Sequence, residues 1–472
     1  MNLRLILAIW TCKISSILGR AIGKKSSATP GGIALKICPN IIRILSKNID
    51  KIIVVCGTNG KTTTNNIINS ILKNKGKTTV CNNLGANMLS GIATIFASTA
   101  SVFGKLKADV AVLEIDEFSA RIVFDHLTPD IMAITNLFRD QLDRYGEIDI
   151  AINALQEAID KTNNLKLVLN ADDPLSSSFS LENGEVIYYG IDTHLKNQVN
   201  APNGLQNTIS VEKTNENTDE NTEAIKLKSV PKSVTDGLFC RQCGAALEYS
   251  EVYYNQLGKY SCPECGFVRP TPTFEATNLK LYPKIEFNIA DTRISVHYKG
   301  FYNIYNILAA YSAVALLTNE ENLDINEVLS EYKPQIGRMQ PYVINKLPFV
   351  FNLSKNPAGF NQAIATVEDD LRQKCVVIVI NDNEQDGTDI SWIWDVDFER
   401  LTPNEIFISG TRRFDVAVRL KYAEFTNYKV FDTTAQAIDE AIAKKYDISY
   451  ILVNYTALFS TENILKSKGE VA

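Results

Sequence analysis

The chain has 472 residues, 45% apolar and 22% charged, close to an average globular protein, which excludes a disordered, collagenous or coiled-coil chain. At roughly 150 residues per domain, this length predicts about three domains. Lys and Arg number 48 against 54 Asp and Glu, a net charge of −6, so composition gives no reason to expect a nucleic-acid partner and any polyanion must be held locally.

No stretch of about 18 uninterrupted apolar residues occurs, so no helix is expected to span a bilayer. Residues 1–48 read as a basic amphipathic segment. Leu3, Ile6, Leu7, Trp10, Ile14, Ile17 and Leu18 recur at helical spacing, Arg4, Lys13, Arg20, Lys24 and Lys25 supply positive charge, and no Asp or Glu occurs before Asp50. Lys13 interrupts the apolar run and no small-residue cleavage pattern follows, which argues against a signal peptide. The first reading of the stripe is a helix packed on the next domain. The second is a basic face resting on the anionic inner leaflet of the membrane, a peripheral contact for a cytoplasmic protein.

A central domain is expected over residues 49–335. Residues 51–56 read as a buried strand, Gly57, Thr58, Asn59, Gly60, Lys61, Thr62 and Thr63 as the loop after it, and Ile67, Ile68, Ile71 and Leu72 as a helix. Strand, glycine loop and helix together form phosphate-binding architecture. Backbone N–H groups and the helix start face the anion, the Lys61 ammonium reaches the terminal phosphates, and the Thr62 hydroxyl can ligate Mg²⁺. The general phosphate loop carries one more glycine, where this chain has Val55. Glu114, with Asp116 and Glu117 behind it, ends another strand pattern and is the leading carboxylate for a Mg²⁺ ion bound to ATP. Apolar runs at 110–113, 131–134 and 167–169 alternate with helical stretches, which predicts an α/β domain with a mostly parallel sheet.

Residues 205–225 are rich in Asn, Thr and Glu and read as a solvated linker. It leads to Cys240, Cys243, Cys262 and Cys265, two C-x2-C pairs whose spacing fits a zinc ribbon inserted at about 205–272. Four thiolates leave no position for water or substrate, so the Zn²⁺ is expected to be structural. Cys12, Cys38, Cys56, Cys81 and Cys375 are scattered singly, as reduced thiols are. The central domain is expected to resume near 274 and to end with a helix over 306–315. Residues 336–472 repeat an α/β pattern, with strands expected at 376–380, 406–408 and 450–453. The histidines, His126, His194 and His297, lie near no cysteine in a nucleophile-elbow setting. Asp386 and Asp389 read first as an Asp-Gly turn, and Trp392 and Trp394 as packing or interface aromatics.

Gly57-Thr-Asn-Gly-Lys-Thr62, Thr135-Asn136, Asn170-Ala-Asp-Asp-Pro174, Gly300 to Asn306 and Gly337-Arg338 together resemble the Mur ligase family, which includes folylpolyglutamate synthases. The resemblance implies a central P-loop ATPase domain, a C-terminal Rossmann-like α/β domain, and activation of a carboxylate by ATP as an acyl phosphate. It implies that Lys61 and Thr62 hold phosphate and Mg²⁺, that Glu114 holds Mg²⁺, that Asn303 or Asn306 lies near the adenine, and that Arg338 and Lys355-Asn356-Pro357 approach from the last domain. Two positions depart from the amino-acid-adding members, Asp140-Gln141-Leu142-Asp143 and Lys355-Asn356-Pro357, where a histidine is usual.

The ribbon and the 140–146, 355–359 and 381–395 motifs together are similar to a narrower branch of the family. Its members amidate the α-carboxylate of D-glutamate in the lipid II stem peptide with ammonia from a separate GatD-type glutaminase. By that resemblance Asp389 is lent to the partner's Cys-His pair. An amino-acid ligase of the Mur or folylpolyglutamate type is the alternative, and a zinc-ribbon binding module a more distant one.

Overall fold

A computed structural model describes residues 3–21, 27–82, 86–139, 148–192, 236–281, 284–298, 300–332, 336–383, 386 and 389–471. The 140–146 motif, the 205–225 linker, Lys24, Lys25, His194 and positions 384, 385, 387 and 388 of the 381–395 motif lie outside the described residues.

Three helices open the chain, α1 (Leu3–Ala21), α2 (Thr29–Ile37) and α3 (Ile41–Ser46). A nine-stranded sheet follows, built from β1 (Ile49–Cys56), β2 (Thr79–Cys81), β3 (Ala108–Glu114), β4 (Ile131–Ile134), β5 (Lys166–Asn170) and β6 (Glu185–Ile191), then β9 (Phe274–Lys280), β10 (Ile285–Ile289) and β11 (Thr292–Val296). Between β6 and β9 stands a separate antiparallel hairpin, β7 (Glu248–Tyr254) and β8 (Leu257–Ser261). The sheet order is β11-β10-β9-β6-β5-β4-β1-β3-β2, parallel from β2 to β9 with an antiparallel edge. β1 lies between β3 and β4, so the chain leaves it in opposite directions on its two sides. That topology opens a crevice at its carboxyl end.

Alternation along β1 divides the core. Ile53 and Val55 face α4 (Lys61–Asn74) and α8 (Tyr302–Thr318), while Ile52, Val54 and Cys56 face α5 (Leu89–Thr99) and the N-terminal helices. Both faces are covered, which is why the strand reads as one apolar run rather than an alternation. α2 packs closely on α5, and a Cβ at Gly31 would come within 1.9 Å of the Ser90 carbonyl. A short helix, α6 (Ala120–Val123), and a longer one, α7 (Ile148–Asp160), lie on the crossovers, and α9 (Asn326–Glu331) follows α8.

A second sheet holds β12 (Gln340–Ile344), β13 (Leu347–Leu353), β14 (Lys374–Val379), β15 (Glu405–Ser409), β16 (Tyr428–Val430), β17 (Ile448–Val453) and β18 (Glu470–Val471), in the order β16-β15-β14-β17-β13-β12-β18. Its helices are α10 (Pro357–Glu368), α11 (Arg413–Tyr422), α12 (Thr434–Lys444) and α13 (Tyr455–Lys468). The five strands β16, β15, β14, β17 and β13 run parallel, as an α/β unit requires.

The N-terminal helix differs from the first reading of its stripe. α1 packs inward through Leu5, Ala8, Ile9 and Cys12, whereas Leu3, Leu7, Trp10, Ile14, Ile17 and Leu18 are each more than half exposed. The helix carries two apolar stripes, and the smaller residues of the inner one allow the closer approach to α2 and α5.

Candidate functional site

The chain leaves β1 through Gly57 (φ +116°) and enters α4 after Gly60 (φ +87°). A Cβ at Gly57 would lie 2.3 Å from Thr135 Oγ1, and one at Gly60 would lie 2.0 Å from Asn306 Oδ1. Backbone conformation and crowding thus both demand glycine at these two positions. Val55 is still within the strand, paired with Glu114 on one side and Ala133 on the other, so no glycine is called for there.

Residues 135–138, just after β4, hold the loop in place. The Thr58 N–H donates to the Asn136 carbonyl at 2.7 Å, and the Asn59 N–H donates to Asn136 Oδ1 at 3.0 Å. Thr135 Oγ1 and the Asn136 side-chain amide both donate to the Asn59 carbonyl, at 2.7 and 3.1 Å. Thr58 Oγ1 accepts from the Phe138 N–H and donates to the Phe138 carbonyl, both at 3.0 Å.

Lys61 opens α4 and is buried. Its ammonium lies 2.9 Å from Glu117 Oε1 and also donates to the Gly57 and Thr58 carbonyls. Burial alone would lower its pKa, but Glu117, Glu114 and Asp116 outweigh that and raise it, so Lys61 is a cation. Burial pushes Glu117 up, against the opposing pull of Lys61. Thr62, half-buried, and Thr63, buried, follow in the first turn.

Glu114 ends β3 beside the loop. Asn82 accepts from its N–H at 2.8 Å and donates to its carbonyl at 2.7 Å, and Asn87 donates to Oε1 at 3.2 Å. Among the described residues, Glu114 Oε2 is buried without a hydrogen-bond partner, an orphaned carboxyl oxygen of the kind a hard cation satisfies. Asn303 and Asn306 lie in the first turns of α8, joined at 3.2 Å, with Asn306 Oδ1 against Gly60. Both therefore stand at the phosphate-loop end of the crevice. Arg338, half-buried at the join to the second sheet, is close enough to Tyr302 and Tyr332 for its charge to oppose the burial that raises their pKa values.

The second sheet reaches this loop directly. Asn356 N-caps α10 by accepting from the Gly359 N–H at 2.8 Å, and Pro357 fills the first helical position. Its amide also pairs reciprocally with that of Asn59, at 3.2 and 3.4 Å. Gly57 to Thr63, Glu114, Asn303 and Asn306 thus form one cluster, with Arg338 beside it. Asp389 lies elsewhere on the second sheet's unit, exposed, before the short 3₁₀ turn Ser391–Asp395. It accepts from the Ser391 N–H at 2.8 Å, and that bond with the Ser391 hydroxyl holds its carboxyl below the usual range.

The four ribbon sulfurs lie within 4.8 Å of one another, with Cys240–Cys265 and Cys243–Cys262 at 3.5 Å. Such spacing suits a tetrahedral ion with metal–sulfur bonds of about 2.3 Å. Each pair sits on a tight turn closed by Gly244 (φ +79°) or Gly266 (φ +77°), whose N–H groups donate to the Cys240 and Cys262 carbonyls. N–H groups of Cys265 and Glu264 lower the Cys262 thiol to about 7. The hairpin between the pairs is not a detached module, because Tyr253, Tyr254 and Leu257 enter the core on the α8 face of the large sheet.

Sequence reasoning singled out Glu117 only as part of an acidic cluster and gave Thr135 and Asn136 no role. The ion pair of Lys61 with Glu117, the 135–138 clamp and the Asn59–Asn356 pair all join residues distant in sequence, and the local signals were the carboxylate run after β3 and the Thr135-Asn136 and Lys355-Asn356-Pro357 motifs.

Residues 353–458 match the MurT ligase C-terminal family and residues 55–229 the Mur ligase middle domain. The chain is 36% identical over 457 residues to the lipid II isoglutaminyl synthase (glutamine-hydrolyzing) subunit MurT of Staphylococcus aureus strain COL, covering 96% of this chain and 95% of that one. It is 32% identical to the subunit of the same name from Streptococcus pneumoniae, covering 99% and 98%. Among solved structures, a pseudomurein peptide ligase type C from Methanothermus fervidus superposes with a TM-score of 0.65 at 23% identity, covering 89% of this chain and 79% of that one. MurF from Acinetobacter baumannii superposes at 0.63 and 17%, covering 92% and 80%. Both show that the fold is that of the Mur ligases.

Proposed function

The chain belongs to the MurT family of Mur-type ligases, and from that premise we propose that it is the synthetase subunit of a lipid II-amidating complex. The α-carboxylate of D-glutamate in the stem peptide attacks the γ-phosphorus of ATP, the bond to the β-phosphate oxygen breaks, and an acyl phosphate and ADP result. Ammonia then attacks the acyl carbon, phosphate departs with the bonding electrons, and the amide nitrogen loses a proton. The observation that carries this reading is the glycine loop at the carboxyl end of β1 with Lys61 buried behind it.

Gly57 to Thr63 cradle the phosphates, and Lys61 offsets charge developing on the transferred group. Asn303, Asn306 and Arg338 complete the ATP pocket. Thr62 and the unpartnered Glu114 Oε2 would hold Mg²⁺, which neutralises phosphate charge when bound. Cys240, Cys243, Cys262 and Cys265, whose sulfurs cluster within 4.8 Å, would hold a structural Zn²⁺. The Asn59–Asn356 pair supports closure of the second sheet's unit over the loop, which keeps water from the acyl phosphate.

Ammonia comes from a glutaminase partner of the GatD type. Asp389, which is exposed, orients the partner's imidazole in this reading, as a third triad member does. Trp394, Phe414, Val418 and Tyr422 support a docking surface on the same unit. All four are exposed, Phe414, Val418 and Tyr422 follow each other at four-residue spacing on α11, and Trp394 meets Tyr422 edge-on at 5.3 Å.

No helix among the described residues is long and apolar enough to cross a membrane. We place the chain peripherally on the cytoplasmic face, through the outer stripe of α1. That stripe continues into Val102 and Phe103, where the Trp10 indole N–H donates to the Val102 carbonyl at 2.9 Å. Arg4, Arg20, Lys105 and Lys107 are exposed around it, and residues 1–49 carry no carboxylate side chain.

The test of the reaction is phosphate release from ATP by the purified chain with a lipid II acceptor. Ammonium is expected to support amide formation. Turnover with glutamate or lysine but not ammonium would instead identify an amino-acid ligase.

A further inference from the structure

The ribbon hairpin ends where the nucleotide site begins, which a structural role for the zinc does not by itself explain. At its tip Asn255 takes a left-handed turn (φ +47°) and presents Gln256, which is fully buried. The Gln256 side-chain amide donates to the Leu137 carbonyl at 2.6 Å and lies 3.4 Å from Asp173 Oδ1. Asp173 Oδ2 accepts from the Leu137 N–H at 2.9 Å. Leu137 is therefore gripped at both its N–H and its carbonyl, and the next residue, Phe138, exchanges two hydrogen bonds with Thr58 of the phosphate loop. Close packing reinforces the path. Tyr254 lies 6.0 Å from the Phe138 ring, and a Cβ at Gly237 would come within 2.5 Å of Gln256 Cβ. The Gly258 N–H donates to the Asp172 carbonyl at 2.8 Å, anchoring the hairpin to the strand-end segment that carries Asp173.

We propose that the inserted hairpin braces the phosphate loop, with Gln256 as a positioning residue for ATP. Gln256 fixes the Leu137–Phe138 backbone, that backbone fixes Thr58, and Thr58 fixes the loop from which the phosphates are bound. This rests on the nucleotide-binding reading above. A brace acts through another residue, so its loss weakens ATP binding while leaving the reacting groups themselves in place.

The measurement uses the zinc-loaded chain with its glutaminase partner. Gln256→Met keeps the volume of the side chain and removes its amide. The brace predicts a roughly tenfold rise in KM for ATP with kcat and the KM for ammonium within about twofold of the unaltered protein. An unchanged KM for ATP would overturn the proposal, as would an equal loss of affinity for both substrates. Hydrogen exchange on the unaltered protein gives a second test, independent of whether the variant folds. Coupling is reciprocal, so a bound non-hydrolysable ATP analogue must slow exchange at hairpin-tip residues 254–258 as well as at 57–63. Protection at 57–63 alone overturns the brace, whereas protection at neither, with no ATP binding, overturns the nucleotide reading instead.

Discussion

At the scale of single residues, the Lys61–Glu117 pair sets the terms of the site. Both side chains are almost fully buried, and removing either leaves the other charge uncompensated, at a cost of about 3–5 kcal/mol. Lys61→Ala is thus predicted to lower turnover by about a thousandfold and the thermal midpoint as well. The pair Lys61→Met with Glu117→Leu should recover stability without recovering turnover. Substantial ATP turnover in either protein would contradict the role given to Lys61. Asp173 makes a different demand. Burial outweighs its bonds to the N–H groups of Leu137 and Leu175 and to Gln256, and raises its pKa from 3.8 to about 7. The folded chain then keeps a proton that the unfolded chain has lost, so stability falls as pH rises from about 4 to 7 and is level above that. Asp173→Asn is expected to flatten that slope in denaturant titrations across this range. An unchanged slope would mean that Asp173 is ionised in the fold.

At the scale of elements, the parallel strands were legible because full burial makes them continuous apolar runs. The run at 131–134 is β4 itself, and those at 51–56, 110–113 and 167–169 lie inside β1, β3 and β5. The phosphate loop was legible because its glycines and Lys61 are local. The inward face of α1 was not, since a helix with two apolar stripes does not declare which one a neighbour covers, and small residues such as Ala8 and Cys12 carry little periodic signal. Nor was the reach of the β7–β8 hairpin, because Tyr253, Tyr254 and Leu257 form a short cluster in a polar, cysteine-bearing stretch and their partners lie elsewhere in the chain. The tip's burial makes the ribbon part of the domain's stability. Its own core, Cys240, Leu247, Tyr260 and Cys262, is small, so the ribbon depends on its metal as well as on the tip's packing in the larger core. Cys240→Ser is predicted to lower bound zinc and the thermal midpoint together, by metal analysis and calorimetry. Full zinc content with an unchanged midpoint would rule out the four-thiolate site.

At the scale of the molecule, two α/β units meet at the phosphate loop through Asn59 and Asn356, and Arg139, just after the 135–138 clamp, reaches Asp395 at 3.4 Å. An apolar, base-flanked helix at the other end completes the arrangement. If that helix rests on lipid, the chain should sediment with vesicles containing phosphatidylglycerol and much less with phosphatidylcholine alone, and Leu7→Glu with Trp10→Glu should abolish the difference. Equal sedimentation of the variant would contradict the membrane face. The central claim is that ammonia for the Lys61 site is made on a partner to which this chain lends Asp389. It is tested most directly by following amidated lipid II formed by the complex of this chain, carrying Asp389→Asn, with its glutaminase. The account predicts that glutamine no longer supports amidation while ammonium supports it as in the unaltered complex. Amidation from glutamine at the unaltered rate would contradict it.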